Sequence, residues 1–286
     1  MNEIFAIDPT SPEDYKDFSG MLKSFGLSNG RFIAKYPIDW ITMLLAHSES
    51  LKGLDQTRFK RLLEVHSDAI LEIDAEYRRT KPWINNALDI LPIKIKKTLI
   101  LSPSPPPAGI KSLQDFLWGN ESEVNDSIGD HIPMTIESYC NTIRPLLKLS
   151  TEVHMVDQFF NLRNGLNKDI DKFNLLSILL KEADQSKHCE YFKIHFLRKT
   201  GVSDKVQSDQ IVNDLEEIID TQKLVNVQPD FTLNDKNKMK HGRYIFSIKG
   251  GLQFDYGFDI SGSKKTNHVH WLSQPELLPI QKLYGL

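Results

Sequence analysis

Cysteine, long apolar runs and an excess of positive charge are all scarce in this sequence. Two cysteines in 286 residues are too few for a disulfide framework or a cysteine-rich zinc site. No apolar run approaches the ~18–20 residues of a membrane-spanning helix. The first residues carry acids and a proline, whereas a secretory signal has positive charge before an apolar run. We therefore expect a cytoplasmic protein without a membrane span.

The net charge is −3, which argues against the global basic field that drives nonspecific binding to nucleic acids. The glycine-rich motifs GxGxxG and GxxxxGKS/T for nucleotides are missing. We predict no cofactor. Hydrophobic residues nevertheless make up 40% of the chain, which is enough for a folded core.

The length and the apolar pattern predict two domains. We expect residues 1–132 to form a smaller, mainly helical α+β domain. It includes the Pro-rich segment 102–109, an expected connector or loop because consecutive prolines fix φ and remove hydrogen-bond donors. Residues 133–286 alternate strand-like and helix-like segments, which predicts an α/β layered sheet, parallel or mixed, with helices on both faces.

Three segments of the second part place polar residues at strand ends. The segment VHMVDQFF is an apolar strand that ends in Asp157. In KHGRYIFSIKGG, His241 and Arg243 are two residues apart and therefore share a strand face. The segment QFDYGFD follows a double-glycine turn and ends in Asp259. Polar side chains at the carboxyl ends of strands tend to line a ligand crevice.

Together these segments resemble the phospholipase D-like superfamily. The resemblance is closest to a divergent branch that includes the C-terminal domain of eukaryotic MIT-domain proteins and many uncharacterised prokaryotic proteins. It covers about residues 150–286, and the segment FGLSNGRFIAKYPIDW extends it to the first part. It implies a phospholipase D-like fold with a site at the four polar residues Asp157, His241, Arg243 and Asp259.

Departures from the superfamily pattern bear on activity. Catalytic members carry Lys two residues after the histidine, Asp seven residues after it, and a later Gly-Ser. Here Arg243 and Ile248 occupy the first two positions, and no Gly-Ser stands some seven residues after Ile248. Catalysis also needs two histidines, one that attacks phosphorus and one that protonates the leaving group. Because this chain has one copy of the motif, two chains would have to pair.

Three interpretations of the site stay open. His241 is the nucleophile of a homodimeric phosphodiesterase or nuclease, or Arg243 grips a phosphate in a pocket without turnover. In the third, Arg243 has a structural role, paired to Asp157 or Asp259. The resemblance favours a catalytically degenerate module that binds a phosphate-bearing or protein partner in a prokaryotic defence or mobile-element assembly. DNA or RNA is a further expected partner. Lipid binding is less favoured because no amphipathic basic helix stands out.

Basic residues of the first part and two late histidines are additional candidates. Six basic residues are candidate phosphate or nucleic-acid contacts if they cluster in space: Arg31, Lys35, Arg58, Arg61, Arg78 and Arg79. In NHVHW, His268 and His270 are two apart on a predicted strand and can share a metal. The sequence shows no third ligand near them, so we predict no metal site.

Overall fold

The structure is a computed structural model that describes residues 3–51, 56–94, 98–119, 129–239 and 242–286. The chain divides into two compact units, residues 2–127 and 128–286. The predicted division at residue 132 falls inside a strand, Gly129–Met134, that pairs with the sheet of the second unit.

The first unit contains a five-stranded sheet in which every pairing is parallel. Its strands are β1 (Glu3–Ile7), β2 (Arg31–Lys35), β3 (Ile70–Glu72), β4 (Thr98–Ser102) and β5 (Lys111–Ser112). Its helices are α1 (Tyr15–Lys23), α2 (Trp40–Ser50), α3 (Gln56–Val65), α4 (Trp83–Lys94) and α5 (Leu113–Trp118). The strand order is β3-β2-β1-β4-β5. The Pro-rich segment forms the end of β4 and the loop from β4 to β5.

Helices cover both faces of this first sheet. Phe5 of β1 packs with aromatic side chains of α1, α3 and α5, whereas its neighbour Ala6 packs with Trp83 of α4. Successive strand residues point to opposite faces, so the two clusters lie on opposite sides. The unit is therefore α/β, where the sequence predicts a mainly helical α+β domain. The short β1 lacks polar alternation because parallel strands are buried on both faces.

The second unit contains a seven-stranded mixed sheet. Its strands are β6 (Gly129–Met134), β7 (Glu152–Asp157), β10 (Tyr191–Leu197), β11 (Gln228–Asn234), β12 (Arg243–Phe246), β13 (Gly251–Phe254) and β14 (Gly262–Trp271). A separate hairpin consists of β8 (Arg163–Asn164) and β9 (Asn167–Lys168). Its helices are α6 (Ile136–Leu149), α7 (Ile170–Ser186), α8 (Asp204–Gln222) and α9 (Gln274–Tyr284). The strand order is β11-β10-β7-β12-β13-β14-β6.

The first three strands of that order are parallel and the others pair antiparallel. Phe246 of β12 lies opposite Gly251, so Phe254, three residues after Gly251, points to the other face. The Phe246 ring packs on Tyr284 of α9, and the Phe254 ring packs on Tyr139 of α6. Helices thus cover both faces, and the predicted α/β layered fold is confirmed. Among the described residues, no helix is long and apolar enough to cross a membrane.

Candidate anion-binding site

Two neighbouring strands and one turn bring three of the four predicted site residues together. Strand β12 pairs antiparallel with β7, and in this register Arg243 lies directly opposite Asp157. Asp259 follows the turn after β13, and the backbone N–H of Phe258 beside it donates to Asp157 Oδ2 at 3.1 Å. Three of the four residues predicted from the sequence therefore lie at one rim of the sheet. The fourth, His241, lies outside the described residues.

Asp157 organises the backbone of this rim. Its side chain is 3% exposed, and its Oδ1 accepts the N–H of Phe159 at 2.8 Å. Together with the bond from Phe258, this ties the turn after β7 to the turn after β13. Burial raises the pKa of Asp157, against the opposing effect of the two backbone N–H groups and of Arg243. Both carboxylate oxygens of Asp157 thus accept backbone N–H groups and hold the rim in place.

Gly257 permits this close approach. Its φ is +67°, and a Cβ atom there would lie 2.2 Å from Asp157 Oδ2 and 3.1 Å from Arg243 Cδ. The left-handed backbone conformation already favours glycine, and the contact distance rules out a side chain at the position. The Gly-Phe-Asp segment singled out in the sequence thus has a steric reason for its first residue.

The guanidinium of Arg243 is held without a carboxylate partner. Its Nη1 donates to the backbone carbonyl of Asp255, and its Cζ lies 5.1 Å from the centre of the Phe159 ring. Its Nε is buried and has no hydrogen-bond partner. In the part of the chain that the structure describes, no carboxylate lies within ion-pair distance of this guanidinium. Arg243 therefore does not form the ion pair with Asp157 or Asp259 that the third interpretation requires.

Lys172, in the first turn of α7, is a second cation at the rim that the sequence did not reveal. Its Nζ lies 3.4 Å from Asp259 Oδ1 and donates to the carbonyl of Phe159 at 2.9 Å. The sequence carries no signal for this contact because Lys172 and Asp259 are far apart in the chain. Only the folding of α7 back over the rim brings them together.

The six basic residues of the first unit are distributed over β2, α3 and the segment before α4. Arg31 and Lys35 lie at opposite ends of β2, roughly 13 Å apart along an extended strand. Arg31 is buried and bonds Glu3 at 3.1 Å, and Lys35 bonds Glu72 at 2.8 Å. The remaining four lie on α3 or before α4: Arg58 over the Tyr15 ring, Arg61 exposed, Arg78 bonded to Glu76, and Arg79 3.8 Å from Asp39.

A separate group of ligand-type side chains also occurs in the second unit. Asp255, His268 and His270 offer ligand atoms that all lie within 4.8 Å of one another. The sequence points to the two histidines, but not to Asp255, which belongs to the neighbouring strand connection.

No protein-family model matches the chain, and no curated protein sequence matches it. Among solved structures, the crystal structure of polyphosphate kinase from Porphyromonas gingivalis is similar, with 12% sequence identity and a TM-score of 0.36. The match covers 78% of this chain and 35% of that protein's chain.

Proposed function

We propose that the second unit is a phospholipase D-like module that binds a phosphate-bearing ligand at the Arg243 rim without cleaving it. The observation that supports this most is the guanidinium of Arg243, which is held in place but lacks a carboxylate partner among the described residues. A buried donor without an acceptor costs free energy. A phosphate oxygen is an acceptor that would satisfy it and also neutralise the charge.

The surroundings favour a charged anion with two adjacent oxygens, such as a phosphate group. A guanidinium offers a fork of parallel N–H donors that matches two phosphate oxygens. The Phe159 ring beneath Arg243 limits its freedom without competing for its donors. Lys172 is a second positive group at the rim, and its Nζ also lies 3.4 Å from Asp259 Oδ1 and 3.9 Å from Asp169 Oδ2. Asp157, which lies opposite Arg243, directs its oxygens at backbone N–H groups, so it does not occupy the Arg243 donors.

We propose that the site does not cleave its ligand because this chain departs from catalytic relatives at a position that they use for catalysis. Ile248 stands where they carry an orienting Asp, and it is 61% exposed between β12 and β13. An exposed apolar side chain can neither orient a histidine nor stabilise developing charge, and a catalytic group without such support loses its required geometry. A homodimeric phosphodiesterase or nuclease with one His241 from each chain is the alternative.

The proposal also includes the assembly in which the protein acts. The resemblance to prokaryotic relatives supports a role beside a protein partner in a defence or mobile-element assembly. In such an assembly, the anion site would hold a nucleic-acid backbone or another phosphate-bearing component while the partner supplies the chemistry.

Binding measurements on the full-length, tag-free chain test the proposal. A fluorescent single-stranded oligonucleotide is titrated with wild-type protein, and inorganic phosphate is added as a competitor. We expect binding that phosphate reverses and that Arg243→Ala weakens at least about tenfold, as for a lost charged hydrogen bond. Arg198→Ala is the matched control, because Arg198 already bonds Asp204 and Asp235.

Three outcomes contradict the proposal. Wild-type protein that binds neither oligonucleotide nor phosphate has no such site. Equal losses in Arg243→Ala and Arg198→Ala would mean a diffuse surface effect. Hydrolysis of a bis-aryl phosphodiester that His241→Ala abolishes would establish the phosphodiesterase instead.

A further inference from the structure

The edge of the second sheet carries three ligand-type side chains on one face. His268 and His270 are two residues apart on β14 and point to the same side of the strand. Asp255 directly follows β13, the strand that pairs with β14, and its backbone N–H donates to the carbonyl of His268 at 3.0 Å. The antiparallel pairing thus places a carboxylate beside two imidazoles.

The distances suit a single bound ion. His268 Nδ1 lies 3.4 Å from Asp255 Oδ2, and the ligand atoms of all three residues lie within 4.8 Å of one another. Bonds of ~2.0–2.1 Å in a tetrahedral zinc site separate ligand atoms by roughly 3.4 Å. One pair therefore already has the required spacing, and the third ligand needs only a small side-chain rotation.

The loop that carries the carboxylate is fixed by a buried side chain. Asn267 is fully buried, and its Oδ1 accepts the N–H of Tyr256 at 2.9 Å while its Nδ2 donates to the carbonyl of Gly257 at 2.7 Å. These bonds hold the turn after Asp255 against β14. A ligand set that is positioned before the ion arrives loses less entropy on binding.

Two further observations point to a missing ligand at this face. The Nδ1 atom of His270 is buried and has no hydrogen-bond partner, which costs free energy unless a metal or another group satisfies it. Gly129 of β6 lies opposite His270, and a Cβ there would come within 3.2 Å of His268 Nε2. The edge strand therefore leaves space above the histidines where a side chain would fill it.

We propose that Asp255, His268 and His270 form a divalent transition-metal site of the zinc class, with solvent at the remaining coordination position. Two imidazoles and one carboxylate are borderline ligands that favour Zn²⁺, Co²⁺ or Ni²⁺ over Mg²⁺ and Ca²⁺, which take oxygen ligands. His268 and Asp255 are each more than a third exposed, so the ion is open to solvent or to a substrate. Three protein ligands with an open position are typical of reactive rather than purely structural zinc sites.

The site is distinct from the anion-binding rim, although the two share one residue. Asp255 offers its carboxylate to the metal and its backbone carbonyl to Arg243. The metal does not depend on phosphate binding, and its ligands do not include Arg243. Failure of one proposal therefore leaves the other intact.

Metal binding to the chelator-treated, tag-free full chain tests the inference. Dialysis against Zn²⁺ followed by elemental analysis should give one equivalent per chain, and Co²⁺ should give the visible absorption of a low-symmetry four-coordinate site. His268→Gln and His270→Gln should each lower zinc affinity at least tenfold, and Asp255→Asn, which keeps the side-chain shape, should do so as well. His188→Gln is the matched control because His188 is exposed and outside the group.

Four results would overturn the inference. Three of them are less than a stoichiometric amount of bound zinc in the wild-type chain, equal affinity in His268→Gln and His188→Gln, and selectivity for Mg²⁺ over Zn²⁺. The fourth concerns His131. His131 stacks on His268 with ring centres 5.0 Å apart. If His131→Gln abolished zinc binding, His131 would occupy the coordination position proposed for solvent, and the three-ligand geometry would be wrong. Circular dichroism of each variant separates loss of a ligand from loss of the fold.

Discussion

Two buried histidines of the second sheet make its stability depend on pH. His154 and His195 are each 2% exposed on the neighbouring strands β7 and β10. Asn234 lies 3.3 Å from His195 Nδ1, His195 Nε2 lies 3.1 Å from His154 Nδ1, and His154 Nε2 lies 2.9 Å from Glu152. If each residue donates to the next, both imidazoles are neutral. An added proton would leave two donors facing each other.

The pKa directions agree with this chain of donors. Burial, followed by the charges of His154, Lys193 and Lys238, lowers the pKa of His195 to about 3. Burial also lowers the pKa of His154, against the opposing effect of the hydrogen bond that His154 donates to Glu152. An unfolded histidine titrates near ~6.5. Between these values the unfolded chain holds a proton that the folded chain lacks, so stability is full above about pH 6.5 and falls as the pH drops.

The magnitude follows from the difference between the two pKa values of His195. Linkage with a folded pKa of about 3 and an unfolded pKa of ~6.5 gives a loss of about 2 kcal/mol in unfolding free energy from pH 7 to pH 5. His154 adds a loss of the same sign. His195→Gln should lower the stability at pH 7, and it should remove the share of the pH dependence that His195 causes.

Urea unfolding of the full chain at the two pH values measures this effect. The chain has two cysteines, Cys140 and Cys189, both buried in the second unit. A short pulse of a disulfide-exchange reagent that reacts at acid pH therefore labels this unit when it unfolds. His188→Gln, at an exposed position, is the control for ordinary histidine titration. Equal pH dependences in wild type and His195→Gln would refute the reasoning.

Two further predictions concern a contact at the anion rim and an ion pair between α8 and β8. Gly257→Ala should destabilise the second unit by at least about 1–2 kcal/mol from the left-handed backbone alone, and by more because the new Cβ would clash with Asp157. Gly262→Ala is the control, because Gly262 has a similar positive φ but open space around the position of its Cβ. The difference between the urea midpoints of the two variants therefore measures the clash. Asp214→Asn should cost roughly 2–4 kcal/mol, because Asp214 is 1% exposed and accepts two bonds from Arg163; an equal midpoint in wild type and variant would contradict this.

The layered architecture could be predicted because helical periodicity is a local property. Leu176, Leu179 and Leu180 recur at helical spacing, and all three are buried on α7. The turn after β7 and the strand pair around Arg243 also follow from short segments. The first sheet was harder to predict, since a short parallel strand such as β1 shows no alternation to distinguish it from a helix.

What the sequence by itself determined is which residues have the chemistry: a guanidinium at a strand start, an acid at a strand end, and two histidines on one strand face. The tertiary structure decided which of them meet. Strand register put Asp157 opposite Arg243 but turned its oxygens to backbone N–H groups, and the β13–β14 pairing put Asp255 beside His268. Such contacts join residues distant in the chain, and their geometry depends on register and helix placement, which local sequence does not encode.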